Sequence, residues 1–424
     1  MKKIAIILFF LFWTVALISS TGCHKYQEGF EYSNTENIFR KQDTFINSGQ
    51  YTACNNGRIY YVSQENGDDG ISSMNFDGSD VKFELSVPKI SDLIVTKDNI
   101  FYIGIDHVEK GEKYFSLFQF DRTNHKITKI SYTEDPESVY DAYVTENGAI
   151  FVLAPLNLTS SAGSTNYSFV INNSEEFKIK KILSDGNNDL YYGKNSEVFL
   201  MVLNNNYSSN KLNAISSHSA SFVDITNGTA FMDDLWIKDE PYFKALCTHD
   251  NKGWFSIEDV LYELDLESMQ INFIYTKNHM SQEDIMYNAK ITEMCFSGDN
   301  AYIIFKEDTN ETEHLYALNL DKSAYSKLGD FSTDKALLNI ANGQILWAEG
   351  YVIHCDAIDV GEYYSRIGES VFEIKMPENI ISNNILETAG DWLFIYQKDE
   401  KTSTSPNKLL YKVNLITKEI VDIR

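Results

Sequence analysis

The sequence predicts an all-β chain: a β-propeller of eight four-stranded blades, with seven blades as the alternative. Three observations carry that prediction. A strand–turn–strand unit recurs about every 48 residues past residue 50. Tight-turn dipeptides punctuate the units. No long stretch beyond the N-terminus shows the 3.6-residue apolar period of a helix.

Each unit opens with a short apolar run, a polar turn and an aromatic-rich strand. In order these read TACNNGRIYYV from Thr52, LIVTKDNIFYI from Leu93, AYVTENGAIFVL from Ala142 and LYYGKNSEVFLM from Leu190. The series continues with ALCTHDNKGWFSI from Ala245, EMCFSGDNAYIIF from Glu293, LNIANGQILWAE from Leu338 and LETAGDWLFIYQ from Leu386. Second strands are therefore expected to begin at Ile59, Ile100, Ile150, Val198, Trp254, Tyr302, Ile345 and Leu393. Third strands follow from Ile71, Ser116, Val260, His314 and Leu409, where apolar and polar residues alternate as on a half-buried strand. Asn56-Gly57, Asp77-Gly78, Asn147-Gly148 and Asn342-Gly343 supply the positive φ of tight hairpins. Pro88, Pro136, Pro155, Pro241, Pro377 and Pro406 all fall in expected connections, because a proline cannot donate to a strand ladder. Four strands per unit exceed the usual coil of an open β-solenoid, and closing the ring removes exposed edges. Closure is expected from Asn37–Ile46 pairing with the last blade near Leu409–Ile423.

The words of the first unit, with I-Y-Y after a turn and M-N-x-D-G-S after the third strand, resemble known propellers of the YWTD/TolB-like group. They are most similar to an uncharacterised bacterial family resembling the low-density lipoprotein receptor propeller. The likeness is closest over Gly57–Ser79 and extends at fold level over roughly residues 50–424. It implies a binding or interaction module and no particular substrate, since this fold hosts many activities.

The N-terminus sets the expected compartment. Lys2 and Lys3 precede an apolar run from Ile4 to Ile18, and then Ser19, Ser20, Thr21 and Gly22 lead to Cys23. That is the layout of a secretory signal peptide, and the run is shorter than the ~20 residues of a spanning helix. Ser20-Thr21-Gly22-Cys23 resembles a bacterial lipobox, with Ser20 standing where an aliphatic residue is usual. Cys23 is thus the expected lipidation site, which would tether the chain to the outer side of the cell membrane. Of the 424 residues, which length alone would divide into two or three domains, the organisation becomes 1–22 signal, 23–50 polar tether and 51–424 a single propeller domain. Composition narrows the partners. With 61 acidic against 36 basic residues the formal net charge is −25, which repels a phosphate backbone and argues against nucleic acid. Five cysteines are too few for a disulfide-dense scaffold.

Unit lengths vary in an orderly way. Extra residues are expected between second and third strands, at Pro155–Ser168, Asn204–Lys211, Glu349–Ser370 and Gln397–Lys408. Others fall between units, at Thr226–Phe243 and Thr276–Lys290. In a propeller both connection types leave the same face, so a binding surface is expected there. Its candidate residues are Tyr167, Tyr207, Asp233, Asp234, Trp236, Tyr242, Tyr287, Tyr363, Tyr364 and Arg366. Aromatics with a polar handle suit protein surfaces and sugar rings alike.

Catalytic and metal signatures are weak. Cys54, Cys247 and Cys295 share one column of the repeat on the first strand, where small buried side chains belong, and equivalent positions on separate blades are too far apart to share a metal. His354-Cys355 is no metal motif, and the histidines show no H-E-x-x-H spacing. Asp185-Gly186-Asn187-Asn188-Asp189 begins like a calcium loop, but Leu190 replaces the required glycine, so a turn is expected. Asp68-Asp69 and Asp233-Asp234 are adjacent, and neighbours on a strand point to opposite faces. No catalytic residue, metal or cofactor is expected. The expected function is a lipid-anchored, monomeric, extracytoplasmic module that binds a protein or glycan through its long-loop face. A carbohydrate-active hydrolase or lyase, with carboxylates and a His or Tyr at the channel mouth, is the alternative; an envelope assembly scaffold is the second.

Overall fold

The computed structural model describes residues 51–55, 57–65, 68–87, 90–95, 98–109, 112–129, 141–144, 149–153, 167–173, 176–181, 188–192, 198–203, 211–216, 222–224, 243–275, 289–307, 312–322, 324–361, 364–399 and 402–423. Their strands form eight four-stranded antiparallel sheets, spanning 52–86, 90–129, 141–181, 188–224, 243–275, 289–331, 335–375 and 384–422. Every sheet is a meander whose spatial order follows the chain. Each of the eight expected second strands is present within two residues of its expected start. The chain is an all-β propeller. Cys23, the expected signal and tether, and the expected closing segment Asn37–Ile46 lie outside the described residues.

Turn chemistry places the hairpins. Asn342 and Gly343 both have positive φ (51° and 69°), as do Asp250 and Asn251 (48° and 59°), which is the signature of two-residue primed turns. The first-unit motif acts within the first sheet. Arg58 donates to Ser73 Oγ, Asn75 Oδ1 and both the side chain and the carbonyl of Asp80, fixing the turn after the third strand. Asp77 caps that turn by accepting from the Ser79 N–H and hydroxyl. Gly78 there has φ 84°, and a Cβ would lie 2.5 Å from the Trp392 ring of the eighth sheet. The recognisable words are thus spent on hairpin geometry and on the contact between sheets.

The cores lie in the seams between consecutive sheets. Trp254, Phe296 and Tyr325 join the fifth and sixth, while Tyr302, Leu328 and Ile345 join the sixth and seventh. Ile353 and Leu393 join the seventh and eighth. The array closes on itself. Tyr51, Tyr61 and Met74 of the first sheet pack with Trp392, Phe394 and Tyr396 of the eighth, and Trp392 Nε1–H donates to the Phe76 carbonyl at 2.7 Å. All four strands of the eighth sheet come from 384–422, so this closure needs no exchanged strand among the described residues. Cys54, Cys247, Cys295 and Cys355 are buried and form no disulfide, and the first three lie on first strands, the expected core column.

Three expectations are corrected, the first being the 397–408 loop, where strands Trp392–Asp399 and Thr402–Asn414 pair as far as Asp399 with Thr402. Pro406 lies inside the third strand of the eighth sheet, Thr402–Asn414, opposite Lys398. It is tolerated because the register shifts on either side of Lys398 break the ladder there. The stretch 349–370 is not a loop between second and third strands. A turn at Gly350-Tyr351 leads straight into the third strand, Val352–Val360, and the extra length extends a hairpin between the third and fourth strands.

Candidate binding face

A four-stranded meander has two ends. One carries the 1–2 and 3–4 turns; the other carries the 2–3 turn and the connection to the next sheet. The described strands bounding 154–166, 204–210, 225–242 and 276–288 all meet those segments at the second end. Tyr207, Asp233, Asp234, Trp236, Tyr242 and Tyr287 belong to these segments and lie outside the described residues, as does Tyr363. Tyr167 heads a third strand, Tyr167–Asn173, opposite Leu153, so its backbone sits at the same end. Tyr364 and Arg366 do not. They lie on the 3–4 hairpin of the seventh sheet, at the opposite end. Tyr364 is 65% exposed, and Arg366 Nε pairs with Asp359 at 3.3 Å across that hairpin.

At the long-connection end the sixth and seventh sheets present a cluster that no sequence motif announces. In the sixth sheet His314 Nδ1 donates to Asp330 Oδ1 at 2.6 Å, while its Nε2 faces Glu307 Oε1 at 3.9 Å. Burial works to raise the Asp330 carboxyl, but bonds from Lys327 and His314 outweigh it and hold the group below the ordinary range. In the seventh sheet Trp347 and His354 are cross-strand partners whose rings stack at 4.0 Å. The Lys335 ammonium sits 4.2 Å from the same indole and 5.0 Å from the Phe331 ring, a cation–π arrangement. Trp347 Nε1–H donates to Asp356 at 2.6 Å, and His354 Nδ1 pairs with Glu373 at 3.3 Å. Phe331 follows Asp330 directly and contacts Lys335, so the two halves are continuous.

These side chains come from separate strands, and only the sheet pairing brings them together. Two imidazoles, each held by a carboxylate, and a covered indole make a rigid surface of mixed charge. Two carboxylates do flank His314, as a carbohydrate-active site would require. They stand on the second and fourth strands, however, away from the innermost strands that bound the channel. Among the described residues no group of three or more His, Cys, Asp or Glu side chains is arranged to hold a metal.

No known protein family matches the chain, and no curated protein does. Solved structures similar to it include one from a structural and mechanistic analysis of two prolyl endopeptidases, with TM-score 0.47, 10% identity and 85% of this chain covered. The chain spans 55% of the length of that protein. The Dos1 propeller is similar at TM-score 0.46 and 12% identity, over 84% of this chain and 93% of its own. The propeller domain of the Pyrococcus furiosus trilobed protease is similar at TM-score 0.40 and 13% identity, over 65% and 83%.

Proposed function

We propose that the protein is a lipid-anchored extracytoplasmic propeller of the YWTD/TolB-like kind that binds a protein or glycan ligand through its long-connection face. One observation carries this reading. Four long connections and the His314–Trp347–His354 cluster share one end of a scaffold whose other turns are mostly short. The lipobox-like Cys23 supports the anchored location.

The test compares the two ends in ligand capture from native envelope. Changing Trp236, Tyr242 and Tyr287 together to alanine is expected to abolish capture, whereas Tyr364→Ala with Arg366→Ala leaves it intact. Loss from the second pair alone would move the binding surface to the opposite end. Radiolabelled-lipid incorporation into wild type and Cys23→Ala checks the anchor, and equal labelling would refute it.

A further inference from the structure

We infer that the long-connection end of the propeller faces the bilayer, and that its ligand is the extracytoplasmic part of a protein embedded in the same membrane. This rests on the lipid-anchored reading above.

The argument starts at Tyr51, which immediately precedes the first innermost strand, Thr52–Asn55. The Tyr51 N–H donates to the Glu387 carboxylate, at 3.0 and 3.3 Å to its two oxygens. Its carbonyl accepts from the Val62 N–H at 2.9 Å and from the Tyr396 hydroxyl at 3.4 Å. Its ring is buried against Tyr396, with centroids 5.6 Å apart. The point where the tether joins the body is therefore fixed, and strand direction puts it at the end bearing the inter-sheet connections.

It also lies on an innermost strand, close to the propeller axis. A tether leaving the middle of one face draws that face toward its anchor, whereas one leaving the rim would favour neither. The 27 residues between Cys23 and Tyr51 limit the separation of that face from the anchor to roughly 95 Å, the reach of a fully extended chain. That reach leaves room for a domain of about 30 Å between face and bilayer. The net charge of −25 opposes flat adsorption onto an anionic leaflet, which keeps that gap open and disfavours the lipid surface itself as occupant. A protein held in the same membrane gains effective concentration in such a gap, an advantage that a freely diffusing ligand lacks. The 3–4 hairpin with Tyr364 points the other way.

Two exposed tyrosines report the orientation. Tyr351, 58% exposed, lies in the 2–3 turn of the seventh sheet, and Tyr364 lies at the opposite end. Thiol-reactive fluorophores would be attached after Tyr351→Cys or Tyr364→Cys in the full-length lipidated protein; Cys54, Cys247, Cys295 and Cys355 are buried. The protein is then reconstituted in vesicles whose headgroups carry a long-range energy-transfer acceptor for the fluorophore. More efficient energy transfer to the headgroups from 351 than from 364 is expected; equal or reversed efficiency overturns the orientation. Radiolabelled-lipid incorporation tests the anchor separately, since labelling of Cys23→Ala equal to wild type refutes the lipid-anchored reading without bearing on which end faces the bilayer. A photo-crosslinker at each position in native membranes tests the partner. An adduct with an integral membrane protein from 351, lost in Cys23→Ala, is expected. Glycan adducts, or adducts from 364 alone, overturn the partner assignment.

Discussion

Lys412 brings an ammonium into the seam between the eighth and first sheets, where its polar contacts are the Tyr61 hydroxyl at 3.5 Å and the Met74 sulfur at 3.9 Å. Desolvation by burial holds it below the ordinary lysine value of 10.5. The consequence for stability has a definite sign. Below the depressed folded value both states are charged and the folded state bears the full penalty. Between that value and 10.5 the unfolded chain binds more protons, so stability rises with pH. Lys412→Met should therefore raise the urea midpoint at pH 7, with a gain that shrinks as pH approaches 10.5; a pH-independent gain would exclude the charge as its cause. Glu387 plays the opposite role, because it satisfies the buried Tyr51 N–H. Glu387→Ala should cost about 1–3 kcal/mol in urea unfolding, and Glu387→Gln, which keeps an acceptor, clearly less. At this scale the sequence was least legible. Glu387, Lys412, His314 and Trp347 are unremarkable in their own strands and acquire partners only across strands, His314 and Trp347 within one sheet and Glu387 and Lys412 across the closing seam. His354 and Cys355 are successive residues on opposite faces of one strand, half-buried and buried.

Turns and strands were far more legible, because backbone geometry is written in local residue types. Gly57 and Gly78 separate two causes of glycine usage. Both have positive φ (73° and 84°), but a Cβ at Gly57 meets nothing within 4 Å while one at Gly78 meets Trp392. Gly57→Ala should cost about 1 kcal/mol from backbone strain alone, and Gly78→Ala considerably more; equal losses in thermal unfolding would contradict the packing described. The seventh sheet shows where the pattern failed. In Val352–Val360, buried Ile353 and Cys355 alternate with half-buried His354 and Asp356, so a strand signal was present at its start. Past Ile358 the hairpin exposes both faces, with Val360 and Tyr364 in solvent, and the two-residue period disappears. Exposed aromatics without a period read as a loop. Because these side chains pack so little, Tyr364→Ala with Arg366→Ala should change stability by less than about 0.5 kcal/mol, measurable in the same unfolding assay.

Across the whole molecule, the 48-residue repeat foretold the array because the sheets whose side chains are described bury their faces against one another in similar seams. Closure was harder to foresee. It depends on Trp392, Glu387 and Tyr51, contacts that no period encodes, and the expected N-terminal closing strand lies outside the described residues. Trp392→Ala should cost about 3–5 kcal/mol, read as a lower midpoint in denaturant unfolding, because it empties the seam and frees the Phe76 carbonyl. That seam also sets an order of events. Tyr51 and Glu387 are 336 positions apart, so the first sheet has no partner for its outer apolar face until the eighth has been made. Loop-closure entropy over such a separation must be met before any of these contacts forms, which makes the final docking slow. A chain emerging N-terminus first therefore carries Tyr61, Met74 and Phe76 uncovered through most of its synthesis or translocation. Loss of the eighth sheet would leave that face permanently open, a misfolding and aggregation hazard greater than the loss of one blade from the middle of an open array.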